Sequence, residues 1–138
     1  MQEMNTKAGT RRKDPLTLSS NEKKYHYIFS ELQTYQREYG RAARKKERQV
    51  KTLQEINSRG SGRVIDDLTR QFDAEWTVKR EIYGKKIRSA VYRIKDTGSR
   101  KKLQYKCNFA IRCPEKTPTF ATEQEFLEWC GVDVPEPP

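Results

Sequence analysis

The chain has 138 residues and a mass of 16.3 kDa, which allows one modest hydrophobic core and excludes barrels and doubly wound folds. Only 33% of the residues are hydrophobic against 35% charged, and the mean hydropathy is -1.08. We therefore expect tails outside the core, or surface that is covered only in a complex. The sequence contains no membrane-length apolar run and no signal-peptide pattern, which predicts an intracellular protein of the cytoplasm, nucleoid or nucleus, without membrane partners.

Positive charge is concentrated in the first four fifths of the chain. Residues 1–114 hold 28 Lys and Arg against 13 Asp and Glu, whereas residues 115–138 hold 1 Lys against 6 acids. Lys and Arg that neutralise phosphates release condensed counterions, so a basic body attracts polyanions. The charge predicts DNA or RNA as the partner, with an acidic protein surface as the alternative.

The first segment, 1–18, is polar and shows no periodicity that could bury one side. It contains the basic run Arg11, Arg12 and Lys13. This composition predicts a disordered basic arm whose cations contact phosphates.

A long amphipathic helix is predicted over about 20–57. Ser19 and Glu22 have the spacing of a capping box at its start. Gly40 interrupts it by propensity and is the place for a kink, but the apolar stripe resumes in phase beyond it. The stripe consists of Tyr25, Ile28, Phe29, Leu32, Tyr35, Tyr39, Ala43, Val50 and Leu53.

A second, shorter helix is predicted over 63–75. The two glycines and two serines within 58–62 favour a break before it. Asp66 and Asp67 would lie in its first turn, where the helix dipole favours negative charge. Its inner face would carry Ile65, Leu68 and Phe72.

The pattern after residue 75 is ambiguous between strands and a continued helix. Alternating apolar and β-branched residues favour strands over 76–83 and 87–95, joined by a turn at 84–86. The same stretch also fits a helix, through Phe72, Trp76, Tyr83, Ile87, Ala90 and Ile94.

A third strand is predicted over 101–112, after a turn at 96–99. Five apolar residues alternate strictly with polar residues and Ala110 in this segment. They are Leu103, Tyr105, Cys107, Phe109 and Ile111.

The last element is a short helix opened by Thr122 and Glu125, a second capping box, and closed by Gly131. The predicted fold class is α+β: a long N-terminal helix and a second helix with a three-stranded antiparallel sheet and a short C-terminal helix. The domain is expected over 19–131, divided into the helix of 19–62 and a helix-sheet-helix module of 63–131. Residues 132–138 are expected to form a flexible acidic, Pro-rich tail.

One small sheet would not cover the apolar stripe of the long helix. We therefore expect a homodimer or a host protein complex through a face of Tyr25, Ile28, Leu32, Tyr35 and Tyr39.

Two basic surfaces are candidate nucleic-acid contacts. The first is a helical stripe opposite the apolar one, with a solvated charged face as the alternative. It comprises Arg37, Arg41, Arg44, Lys45, Arg48 and Lys51. The second is the outer face of the predicted sheet, where lysines could equally protect an edge strand. It comprises Arg100, Lys101, Lys102, Gln104, Lys106, Asn108 and Arg112.

Catalysis, metals and cofactors receive little support. His26 has no nearby cysteine or serine partner, and no nucleophile elbow or phosphate-binding glycine loop is present. Cys107, Cys113 and Cys130 match no compact zinc spacing with His26 and are expected to be reduced, buried thiols. We expect no catalytic residue, no metal site and no cofactor.

Residues 87–130 resemble a known family in the order of their predicted elements. The order is a strand, an Asp-Thr-Gly-Ser turn, a strand and a helix opened by Thr-Phe-Ala-Thr-Glu-Gln-Glu at 119–125. This order is similar to that of the amino-terminal arm-binding domain of phage-type integrases. The resemblance covers about a third of the chain and implies a three-stranded sheet laid in the major groove of DNA. No base-contacting residue is carried over from it.

The sequence thus predicts a non-enzymatic nucleic-acid-binding protein that uses the helical stripe and the sheet face. The alternatives are a protein-docking adaptor or inhibitor of phage or mobile-element origin that acts on a nucleic-acid enzyme, and a structural subunit of a nucleoprotein assembly.

Overall fold

The computed structural model describes residues 20–56 and 61–133, which form four α-helices and one short 3₁₀ turn. The elements are α1 (Ser20–Ile56), α2 (Ser61–Tyr92), α3 (Thr97–Arg112), the 3₁₀ turn Pro114–Lys116 and α4 (Glu123–Cys130). The predicted basic arm of 1–18, Ser19 of the first capping box and residues 134–138 of the predicted tail lie outside the described residues.

The prediction of one long first helix is confirmed. α1 runs without interruption through Gly40 for 37 residues. The first half of its apolar stripe is buried, from Tyr25 to Tyr35, because it packs against the other helices of the same chain. The dimer face predicted there is therefore wrong: Ile28, Leu32 and Tyr35 have no exposed surface left for a second copy.

The strands predicted over 76–83 and 87–95 are wrong, because α2 continues through both segments to Tyr92. The alternative helical period is the one that the structure follows, with Trp76, Ile87 and Ala90 buried on one side. Since α2 begins at Ser61, the two aspartates predicted for its first turn lie beyond that turn.

The third predicted strand, 101–112, is also wrong, and the residues predicted as a turn begin the helix α3. The side chains that α3 buries follow a helical and not an alternating period. They are Ser99, Leu103, Cys107, Ala110 and Ile111. The described residues contain no strand, so the predicted α+β class and its three-stranded sheet are corrected to an all-α fold.

The core lies at one end of an antiparallel helix pair. The first half of α1 and the second half of α2 pack side by side, and α3 and α4 cover them. The hydroxyl of Tyr35 donates a hydrogen bond of 2.9 Å to the backbone oxygen of Ile111, which fixes α1 to the end of α3. Val132, in the predicted tail, is also buried in this core.

The other half of the helix pair extends beyond the core. We call residues 37–56 of α1 and 61–75 of α2 the outer hairpin. Within it, no described side chain is buried: apolar residues such as Val50, Leu53 and Leu68 are only partly covered, and Ile56 is 59% exposed. α3 and α4 leave this part of the pair uncovered, so both of its outer faces are exposed to solvent.

The Thr122 cap and the glycine stop are confirmed for α4, and the second capping box is confirmed by one of its two bonds. The Thr122 hydroxyl accepts a hydrogen bond of 3.2 Å from the backbone N–H of Glu125, while the Glu125 carboxylate accepts from that hydroxyl at 3.4 Å. Gly131 ends the helix in the left-handed region at φ 74°, and the N–H of Val132 reaches back 3.0 Å to the oxygen of Leu127. Both ends of this 8-residue helix are therefore specified by local sequence.

Tyr35→Phe should lower the free energy of unfolding by about 1 to 2 kcal/mol, because it removes the hydroxyl that pairs with the Ile111 oxygen in a dry environment. Urea denaturation followed by circular dichroism measures this change. Tyr105→Phe is the control, because Tyr105 is 74% exposed and should leave stability unchanged. Equal stability of both variants would show that the Tyr35 bond contributes nothing.

Stability should also fall at alkaline pH. Burial raises the pKa of Tyr35 above its ordinary value of 10.0, although the neighbouring Arg80 lowers it, and burial likewise raises the pKa of Tyr25. A raised folded-state pKa stabilises the fold below the unfolded value, and this contribution is lost as the pH rises through the folded value. Urea midpoints measured from about pH 8 to pH 11 should decline above pH 10, and decline less steeply in Tyr35→Phe.

Candidate nucleic-acid interface

The predicted basic stripe of α1 lies on the outer hairpin. The opposite side of the helix, with Tyr39, Ala43 and Val50, faces α2 and is half-buried. The stripe is formed by Arg37, Arg41, Arg44, Lys45, Arg48 and Lys51, and all six side chains are exposed.

These cations are available to an external partner. Among the described residues, none of the six forms an ion pair with a carboxylate. From Arg37 to Lys51 the stripe extends about 21 Å at 1.5 Å per residue. One strand of a duplex places about six phosphates along that length, so several cations of a straight helix can reach one phosphate backbone.

The α2 side of the outer hairpin has the opposite charge. Its exposed acids are Asp66, Asp67, Asp73 and Glu75. Two arginines accompany them on this part of α2, and one of the two, Arg70, forms an ion pair with Asp67. The outer hairpin is therefore basic along α1 and acidic along α2, which allows only one of its sides to face a polyanion.

The second predicted surface does not form as a flat face, because its residues lie around the helix α3 and not on a sheet. Two of them interact within the fold. The guanidinium of Arg100 donates to the oxygen of Ile94 at 3.3 Å, and the ammonium of Lys106 lies 4.8 Å from the ring centre of Trp129.

The remaining α3 residues divide between two sides. Lys101, Asn108 and Arg112 share one line at helical spacing, together with the exposed Tyr105, which the sequence had assigned to the core side of a strand. The side chain of Lys102 lies next to Gly131, at the end of α4. Gln104 is exposed beside the first line, three residues after Lys101 and four before Asn108.

Two arginines that the sequence reading left out of the interface lie close to this line. Arg80 and Arg88, assigned to the wrong strands, lie on α2 in a groove shared with Asn108 and Arg112 of α3. Arg80 and Arg88 are eight residues apart, a spacing that indicates the same side of a helix. The prediction of strands in this segment concealed that pattern.

The cysteines do not form a metal site. Cys107 and Cys130 are buried, and a hydrogen bond between their thiols, together with burial, raises the pKa of Cys107 well above its usual value. Cys113 is half-buried. His26 Nδ1 lies 3.1 Å from Glu123 Oε1 and links α1 to the start of α4. Across 20–56 and 61–133, no three His, Cys, Asp or Glu side chains form a group that could hold a metal ion.

Gly40→Ala should raise the free energy of unfolding by up to about 1 kcal/mol. Alanine favours a helix interior, and the nearest side-chain atom to the added Cβ would be the flexible end of Arg44, at 3.3 Å. Thermal or urea denaturation measures the change. Gly131→Ala is the contrasting variant and should destabilise, because its φ is positive. A loss of stability in Gly40→Ala would show that the Arg44 side chain cannot yield to the added methyl group.

Comparisons with known proteins identify no relative of this chain. None of the helices within the described residues has the length and apolarity to cross a membrane. The sheet implied by the integrase resemblance is absent from 87–130, and no comparison bears on that resemblance otherwise. No protein-family model, no curated protein and no solved structure matches this chain.

Proposed function

We propose that the protein binds nucleic acid without catalysing a reaction, and that the α1 side of the outer hairpin lies along the phosphate backbone. The observation that carries this proposal is the exposed stripe of six cations from Arg37 to Lys51, none of which forms an ion pair with a carboxylate of the described residues.

The physical basis is that cations held on a rigid helix neutralise phosphates and release the counterions condensed on the nucleic acid. Arginine holds a planar fork of donors that suits phosphate oxygens, and three of the cations, Arg41, Arg44 and Arg48, follow each other at helical spacing on one line. Because the helix is already formed through packing against α2, binding orders only the side chains.

The acidic α2 side supports a single binding orientation. Rotating the outer hairpin would bring Asp66, Asp73 and Glu75 towards the phosphates, where like charges repel. Within the outer hairpin, the proposed contact therefore uses α1 alone.

The test is the triple variant Arg41→Gln, Arg44→Gln, Arg48→Gln. Fluorescence anisotropy with labelled duplex DNA, single-stranded DNA and structured RNA, each at several salt concentrations, measures affinity and its salt dependence. The slope of log K against log salt should fall by about 3, roughly 1 for each phosphate contact that is lost. Circular dichroism verifies the fold.

The matched control is Arg63→Gln, Lys85→Gln, Arg93→Gln, which removes the same charge from exposed positions of α2 and the segment after it. It should keep most of the wild-type slope. Equal losses in the two triple variants, or no binding by the wild type at about 0.15 M salt, would overturn the proposal.

A second candidate function, the protein-docking adaptor, is favoured by one observation. The outer hairpin has a groove of about 830 Å³ whose floor includes the half-buried Tyr39, Val50 and Phe72. An amphipathic helix of a partner protein could cover these side chains, with its acids facing Lys46 and Lys51. Under this function, affinity for isolated nucleic acid would be weak, and Val50→Ser would release the partner.

A further inference from the structure

A groove between α2 and α3 brings three arginines together from two helices. Its volume is about 300 Å³. Its lining consists of Arg80, Glu81 and Arg88 from α2, and Asn108, Ile111 and Arg112 from α3. This groove lies outside the α1 stripe and has no role in the function proposed above.

The arginines of this groove are not neutralised by the protein. Among the described residues, no carboxylate forms an ion pair with Arg80, Arg88 or Arg112. The guanidinium of Arg80 lies beside the hydroxyl of Tyr35, whose pKa it lowers. Its Nε is buried and makes no hydrogen bond within the described part of the chain, which is uncommon for a donor in a folded protein.

Gly84 is the residue that gives Arg88 its position. Glycine in a helix interior is unfavourable, yet it is buried here in the middle of α2. The three heavy atoms nearest to an added Cβ would belong to the guanidinium of Arg88, with Nη1 at 2.8 Å. Without a side chain at Gly84, the guanidinium lies flat along the helix beside the groove.

We propose that this groove binds a phosphate group. Three guanidinium groups against the single carboxylate of Glu81 leave an excess of two positive charges, which matches the charge of a phosphate dianion or monoester near neutral pH. Guanidinium forks and the amide of Asn108 supply donors for several phosphate oxygens.

The experiment titrates inorganic phosphate into the full-length ¹⁵N-labelled protein and follows the arginine Nε–H resonances by NMR, at constant ionic strength set with sodium chloride. The proposal predicts saturable shifts for Arg80, Arg88 and Arg112. Shifts that are absent, or that grow linearly and equally for all arginines, would overturn it.

Variants locate the phosphate within the groove. Arg88→Gln and Arg112→Gln should each weaken phosphate binding about tenfold or more, because a charge-assisted hydrogen bond is lost. Both side chains are exposed, so the fold should persist. Glu81→Gln should strengthen binding. The control Lys85→Gln, on the same helix outside the groove, should leave the affinity unchanged, and an equal loss there would overturn the assignment.

Gly84→Ala tests the position of Arg88 without removing a charge. The added methyl group should displace the guanidinium and weaken phosphate binding, while the helix itself becomes more favourable. Unchanged phosphate affinity in Gly84→Ala together with unchanged affinity in Arg88→Gln would overturn the proposal.

Nucleic-acid titrations identify the source of the phosphate. If the groove takes a backbone phosphate, Arg88→Gln lowers the salt slope for duplex DNA or structured RNA by about 1. If it takes a free phosphate or a phosphate monoester, that slope is unchanged while inorganic phosphate binding is lost. The triple variant of the α1 stripe should retain phosphate binding in either case, so failure of the α1 proposal and failure of this one are distinguishable.

Discussion

The aromatic cluster between α1 and α2 is the contact on which the rest of the structure depends. The ring centres of Tyr35 and Trp76 are 5.9 Å apart, those of Tyr39 and Trp76 are 5.3 Å apart, and Phe72 lies 5.7 Å from Tyr39. Tilted and edge-on pairs of this kind add specific geometry to apolar burial. They fix the register of the two longest helices where the buried core ends and the outer hairpin begins. On the core side, the hydrogen bond between the hydroxyl of Tyr83 and Glu38 supports the same register.

That register determines which charges face solvent. With the apolar sides of α1 and α2 turned towards each other, Arg41 and Arg44 are left exposed on one helix, and Asp66 and Asp73 on the other. The basic face of α1 and the acidic face of α2 follow from the helical spacing of the charged residues and from the pairing of the two apolar sides. No network of ion pairs between the two faces is needed to produce this arrangement. Most of the stability of a protein helix comes from the packing of its apolar face, so the stripe depends on α2 as its support.

The sequence predicted the elements with a wide apolar stripe or a complete cap, and failed where the buried side of a helix is narrow. α1 repeats its apolar residues from Tyr25 to Leu53, and α4 carries Thr122 and Gly131 at its ends. In α3, small residues such as Ser99 and Ala110 are buried while Tyr105 remains 74% exposed. The hydrophobic residues of α3 therefore alternate in sequence as they would in a strand. Tertiary packing selects the helix, and a local sequence pattern carries no information about that packing. For the same reason the stripe on α1 could be read from the sequence, whereas the groove between α2 and α3 could not.

Gly40 and Gly84, the glycines in the middle of α1 and α2, share one structural feature. In both long helices, an arginine four residues further on lies over the glycine: Arg44 over Gly40 and Arg88 over Gly84. A guanidinium that rests on bare backbone is held along the helix and loses less freedom when an anion binds than one that extends freely into solvent. At both glycines the nearest atom to an added Cβ would be the far end of this flexible side chain, at 3.3 Å from Gly40 and 2.8 Å from Gly84, so alanine would displace the guanidinium and leave the helix in place. The displacement is larger at Gly84, so the position of Arg88 depends more strongly on the missing side chain than that of Arg44.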